Sequence, residues 1–299
     1  MTTRGNFPQL LSAGLMVKAW DILEQHPEEF SKFCKVQTSD KAYEQSQFLA
    51  GLGLAILKRE GEKKTYTEPV QGGTKRVIHD TYALAWACTK EMLADDQYGK
   101  IRQIPGELMP SMKYVVEQTA ANILNLGFTT VTTVDGGTLF NTAHALLGPE
   151  GGTQSNQHAT NSTLSQTALQ DVHILGSNFK NERNQKRALR YDTLHIPPEL
   201  QWVAAKILKS DLEPGTGNND VNVTKGLMDI MIHNFFTSTT AWFCSSKNTN
   251  YIKFYWRQKP ALESADEFDT GGTKHSIDAR FSAVAEHYAG WAGSTGAGA

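Results

Sequence analysis

Three observations predict an α+β fold for this sequence. A stretch in the first half repeats apolar residues at helical spacing for about 20 residues. Ahead of it, a polar hairpin pattern runs on into a segment whose apolar residues alternate at period two. Behind it, a loop-rich middle gives way to aromatic, strand-like segments. With 299 residues and 39% hydrophobic content, there is material for one large domain or two ordinary ones.

Leu10, Leu11, Leu15, Met16, Ala19, Trp20 and Leu23 recur at helical spacing up to Pro27. The stretch reads as an amphipathic N-terminal helix, packed on its own core or laid on a neighbouring subunit. Lys18 and Trp20 stand where a signal peptide would need small residues, so no leader is read. The longest apolar run, LAGLGLAIL from Leu49 to Leu57, stops at Lys58 and Arg59, short of the ~20 residues of a membrane span. A soluble protein is expected.

GEKKTYTEPVQGGTKRVIHD, residues 61–80, reads as two arms, Lys63 to Glu68 and Thr74 to Asp80, around a turn at 69–73. Continued back to about residue 58, the first arm reaches roughly 30 Å. Such a hairpin has no core of its own and needs support from elsewhere. The second arm leads into TYALAWACT, where Tyr82, Leu84, Trp86 and Cys88 alternate with alanines, a strand that meets a core only after residue 81.

Leu108, Met112, Val115, Val116, Thr119, Ala120 and Ile123 then make one helical stripe, with Pro105 or Pro110 at its start and Gly127 at its stop. This is the longest predicted helix. Beyond residue 128, LSQTALQDVHILGS opens on Ser165 or Thr163 as N-cap and PPELQWVAAKILKS on a proline pair; both read as helices. YIKFYWRQKP reads as a strand, KHSIDARFSAVAEHYAGW as a final one, and GSTGAGA as a frayed tail.

Composition excludes several classes. Twenty-nine bases against 31 acids give a net charge of −2, which leaves no global positive field for nucleic acid or an anionic membrane. Cys34, Cys88 and Cys244 lack C-x-x-C spacing and read as reduced, buried thiols. No phosphate loop or G-x-S-x-G elbow occurs, and Gly215-Thr-Gly217 lacks a dinucleotide turn's third glycine. Metal ligation and cofactors are not expected. Asp135 and His144, in VDGGTLFNTAHALLG, are the nearest approach to a hydrolase pair, and a structural histidine beside a turn aspartate is favoured there.

Local charge is more informative. Residues 58–76 hold six bases, Lys58, Arg59, Lys63, Lys64, Lys75 and Arg76, against three acids. Residues 261–269 hold Glu263, Asp266, Glu267 and Asp269 with no base. A basic arm docking on an acidic patch of another copy is expected, with complementarity fixing register more than adding affinity.

TYALAWACTKEMLADDQYGKI, VDGGTLFNTAHALLG, the LSQTAL helix start, FYWRQKP and KHSIDARFSAVAEHYAGWAGSTG occur in an order that resembles the major head (capsid) proteins of tailed bacteriophages, specifically the Mu-like group. The resemblance implies the Hong Kong phage-type capsid fold. Residues 1–52 would be an N-terminal arm, 53–88 the E-loop hairpin and return strand, and 89–127 with 252–299 a P-domain whose spine helix covers about 105–126. Residues 128–251 would form an A-domain whose Gly215, Gly217, Asn218 and Asn219 lie near a capsomer axis. Lys58, Arg59, Lys63, Lys64, Tyr66, Lys75 and Arg76 would be E-loop interface residues facing Glu263, Asp266, Glu267 and Asp269. The implied function is a non-enzymatic shell of hexamers and pentamers around phage double-stranded DNA, contacted nonspecifically, built in the host cytoplasm and found in the virion. A separate scaffold, a portal and an optional decoration protein would be partners, with no membrane and no cofactor. An encapsulin-like compartment and a hydrolase built on His144 and Asp135 are the alternatives.

Overall fold

The computed structural model describes residues 28–96, 99, 101–149, 151–212, 220–268 and 271–297. The N-terminal helix, the loop with Gly215, Gly217, Asn218 and Asn219, and Asp269 lie outside the described residues.

Two four-stranded sheets organise the chain. The first has the order β1-β10-β11-β4, from Lys35–Thr38, Ile252–Asp266, Thr273–Ala285 and Asp80–Cys88. Strand β1 runs parallel to β10, and the other pairs are antiparallel. A short helix, α1 (Lys90–Ala94), leads to a 3₁₀ stretch at Ile101–Glu107 and then α2, Leu108–Asn125. Helix α2 lays Leu108, Met112, Val116, Ala120 and Ile123 into one core with Phe254, Ile277, Ala279 and Phe281. That is the stripe the sequence predicts, with Pro110 inside the first turn, where a missing N–H costs no helical bond.

The second sheet has the order β12-β9-β7-β8, from Trp291–Ser294, Trp242–Ser245, Thr193–Ile196 and Asp229–Ile232. It is buried on both faces by alternation. Phe243 and Trp291 face the α2 core, whereas Trp242, Cys244 and Ala292 face a second core with helices α3 (Gln166–Ser177) and α4 (Gln201–Lys209). Ser165 caps α3 through its hydroxyl, which accepts the Ala168 N–H at 3.2 Å. Cys34, Cys88 and Cys244 are free and buried, as expected of packing residues.

Three sequence expectations change. Strand β10 does not stop at Pro260 but continues to Asp266, because register shifts between Trp256 and Ala261 absorb the proline. The predicted last strand splits into β11 and β12 at Gly290, which has φ +90° and passes so close to the Thr249 carbonyl that no Cβ would fit. Gly293 and Ser294, read as the start of a frayed tail, belong to β12 and are buried. Among the described residues, no helix is long and apolar enough to cross a membrane.

Candidate functional site

The polar stretch that the sequence singles out does form a hairpin, with different arms. Strand β2 (Tyr43–Ala50) pairs antiparallel with β3 (Val70–Ile78), from Tyr43↔Ile78 to Ala50↔Val70. The first arm is therefore 43–50, inside the stretch assigned to the N-terminal arm, rather than 63–68. Gly72 and Gly73 lie within β3 and not in a turn. A Cβ on Gly72 would sit 2.5 Å from Leu147 Cδ1, and one on Gly73 would overlap the Val134 carbonyl oxygen. These glycines let β3 pass close to the subunit's body. The chain reverses instead at Arg59–Glu62, where the Glu62 N–H donates to the Arg59 carbonyl at 3.2 Å and Gly61 takes φ +81°.

The free end of the hairpin is residues 51–69. It exposes Leu52, Leu54, Ile56, Leu57 and Tyr66, the last two 85% and 92% accessible. So the longest apolar run of the chain lies on the outside, a placement that marks an interaction surface. Beside it Lys58, Arg59, Lys63 and Lys64 are exposed, and among the described residues none of their side chains meets a carboxylate. Two of the six expected interface bases are committed at home. Lys75 Nζ donates to Thr132 Oγ1 at 2.8 Å, and burial lowers its pKa. The Arg76 guanidinium covers the Tyr43 ring 3.7 Å from its centroid.

The acidic patch caps the β10–β11 hairpin. Glu263 and Asp266 end β10, Glu267 follows, and the next residue, Phe268, is 100% accessible. The patch is not free of bases, because the antiparallel partner strand supplies one that the linear run hides. Lys274 Nζ lies 2.7 Å from Glu267 Oε1, and Thr273 Oγ1 donates to Asp266 Oδ1 at 3.0 Å.

The two features sit at opposite ends of one sheet. Cys88 pairs with Thr273 beside the acidic tip, and Asp80 pairs with Phe281 at the far end, where β3 joins β4. Nine paired positions separate the two ends by about 30 Å. Beyond Phe281 the hairpin continues away from the acidic tip: Ser46 donates to Glu286, and Gly51 meets Arg183 farther out. Within one subunit the root of the basic hairpin tip and the acidic tip thus lie at opposite ends of the first sheet.

Asp135 and His144 do come together, in a way that closes them to chemistry. His144 Nδ1 lies 2.6 Å from Asp135 Oδ2, and Nε2 lies 3.0 Å from Asn156 Oδ1. Asn156 Nδ2 donates to the carbonyls of Leu139 and Trp291, which fixes its Oδ1 as the acceptor facing His144. Burial raises the Asp135 pKa, but bonds from His144 and Thr133 outweigh it and leave the group lowered. The ring is fully buried and stacked on Tyr288 at 3.7 Å, with both nitrogens engaged. Buried on all sides, it presents no ring edge that a substrate could reach.

Other buried polar clusters escape sequence reasoning. Glu117, in mid-α2, accepts the backbone N–H groups of Glu29 and Phe30 at 3.0 and 2.9 Å, and Glu29 in turn accepts the Asn234 N–H at 2.9 Å. His195 bonds His233 and Ser245, each at 2.8 Å. Burial lowers both histidines, His233 to about 4. Spacings of this size carry no local signal, although a glutamate on the apolar stripe of a helix is itself a flag. Among the described residues, no cluster of His, Cys, Asp and Glu could hold a metal ion.

Solved structures of phage capsids share this architecture. The capsid of bacteriophage JBD30, decorated with minor capsid protein trimers, superposes with a TM-score of 0.58 at 12% identity, covering 71% of this chain and 92% of that one. The mature capsid of bacteriophage PhiM1 gives a TM-score of 0.58 at 8% identity over 90% and 86% of the two chains. The capsid of cyanophage P-SCSP1u gives 0.58 at 11% over 89% and 86%. At these identities the likeness is one of fold. No curated protein sequence matches the chain. A sequence-family model described as phage capsid protein matches residues 73–293, from the second hairpin strand to β12, well over half the chain. The chain therefore belongs to the phage capsid protein family, as a shell-forming major capsid subunit and not an enzyme.

Proposed function

We propose that this subunit is a Mu-like major head protein of the Hong Kong phage type, whose copies close as hexamers and pentamers into an icosahedral or prolate head around double-stranded DNA. The observation that carries the reading is the separation of the basic, apolar hairpin tip from the acidic β10–β11 tip along one sheet. Two complementary surfaces that lie apart on one copy meet head to tail on successive copies, and head-to-tail contacts close into rings. In this reading residues 51–69 are the E-loop tip, docked through Lys58, Arg59, Lys63, Lys64 and Tyr66 on Glu263, Asp266, Glu267 and Asp269 of the next subunit. The loop with Gly215, Gly217, Asn218 and Asn219 faces the capsomer axis.

With a net charge of −2, DNA contact is nonspecific and retention mostly mechanical. A separate scaffold and a portal, with an optional decoration protein, complete the head, assembled in the host cytoplasm. Negative-stain microscopy of the purified chain, with a nuclease-protection assay on particles from an infection, tests the reading. Closed shells that protect phage DNA are expected. A protein that remains a single subunit at every concentration would refute it, and shells that exclude the genome would favour an encapsulin-like compartment.

A further inference from the structure

The ladder between β2 and β3 ends at Ala50↔Val70, and the two chains part there into the free loop 51–69. A single buried side chain spans the fork. Arg183 Nε donates to the Gly51 carbonyl at 2.9 Å, and its Nη2 donates to the Glu68 carbonyl. One planar guanidinium thus holds a carbonyl on each side of the fork, just past the last paired residues, through N–H groups of fixed geometry. A cavity of about 360 Å³ opens beside the fork, lined by Phe48, Leu49, Gly51, Phe179 and Lys186 among others.

Arg183 is itself held rigidly. Asn181 Oδ1 accepts the N–H groups of Arg183 and Gln185, at 3.0 and 2.9 Å, and Asn184 sits at φ +58° in the same tight reversal. Its neighbour Glu182 accepts from the Leu147 N–H at 3.0 Å and lies 3.1 Å from His287 Nε2 and 3.4 Å from the Tyr288 hydroxyl. Tyr288 also stacks on His144, so the Glu182 cluster packs against the buried Asp135–His144–Asn156 group.

We infer that Arg183 is the positioning residue that sets the direction in which the 51–69 loop leaves the subunit. The fork geometry stands independently of the capsid reading. Its consequence for assembly rests on that reading, because a loop aimed wrongly cannot reach a neighbour that sits at a fixed lattice angle.

The test is a distance measurement on the full-length, unassembled chain, by double electron–electron resonance. Spin labels go at the loop tip (Glu60→Cys) and on the exposed face of α3 (Ile174→Cys), with the native cysteines buried. Arg183→Lys keeps the charge and nearly the length but loses the fork, and Arg183→Gln also removes the charge. A single narrow distance band is expected in the parent, and about a twofold broader band in both variants, with melting temperature little changed in Arg183→Lys. An unchanged band in Arg183→Lys overturns the proposal, whatever the melting temperature does. A folded Arg183→Lys chain with a broadened band that still closes shells at the parental yield would leave the clamp standing and refute the capsid consequence.

Discussion

Reversing charge at the hairpin tip tests docking most directly. Lys63→Glu with Lys64→Glu alters two exposed side chains that meet no carboxylate of their own subunit among the described residues, so folding should be untouched. An exposed ion pair is worth about 0.2–1 kcal/mol, and reversing one member turns attraction into repulsion of similar size. Two such pairs per contact give a swing of about 1–4 kcal/mol. Lys274 already neutralises part of the acidic tip, which places the effect toward the lower half of that range, about 2 kcal/mol. At 1.4 kcal/mol per decade, the critical concentration for assembly rises about thirtyfold. Light scattering against protein concentration, at low salt and again at 1 M, reads it. The gap between parent and variant should collapse at high salt, where the Debye length falls to ~3 Å. A critical concentration within about twofold of the parent at low salt would refute the docking, and a gap that persists at 1 M would show that it is not electrostatic.

Gly73→Ala should destabilise the subunit by about 2 kcal/mol in thermal unfolding, because its Cβ would overlap the Val134 carbonyl, whereas Gly61→Ala, which meets nothing within 4 Å, should strain only the loop tip. Equal melting temperatures for Gly73→Ala and the parent would restore the turn reading of that glycine pair. Stability should also fall with acid. His233 has a folded pKa of about 4 against an ordinary 6.5, so its contribution is complete above pH 6.5 and is lost as pH drops toward 4, by roughly 3 kcal/mol at the lower end. Denaturant unfolding at pH 7, 5.5 and 4 reads this, and a flat profile would mean that the buried pair with His195 titrates normally.

Elements were legible in the sequence where one period ruled a long segment. Helix α2 shows its stripe because one face is buried along its whole length, and β4 shows alternation because Tyr82 and Trp86 turn inward while alanines face out. Strand β2 was hidden because YEQSQFLA puts polar and apolar residues on both faces, and its exposure alternates without a hydrophobic code. Gly72-Gly73 misled because glycine serves two ends, positive φ and close approach, and only the neighbour at Val134 tells which. Pro260 misled in the same manner, since a bulge admits a proline that a regular ladder would expel. The site was half legible. Charge runs located both tips, but composition could not show that Lys75 and Arg76 turn home or that Lys274 crosses the hairpin.

The proposed docking depends on how these pieces connect. Strand β4 is reached from the β2–β3 hairpin through His79, whose Nδ1 lies 2.9 Å from Ser282 Oγ on β11. The acidic tip is the turn between β10 and β11, so both proposed docking surfaces are extensions of the same paired strands. A sheet packed against α2 bends little, since its core is close-packed aromatic and aliphatic side chains such as Phe254 and Phe281 at 5.3 Å. The separation between the hairpin's root and the acidic tip is then fixed by strand length, which leaves the loop's exit direction to be set at the root. That direction is held at residues 51 and 68, between the end of the β2–β3 ladder and the Arg183 fork.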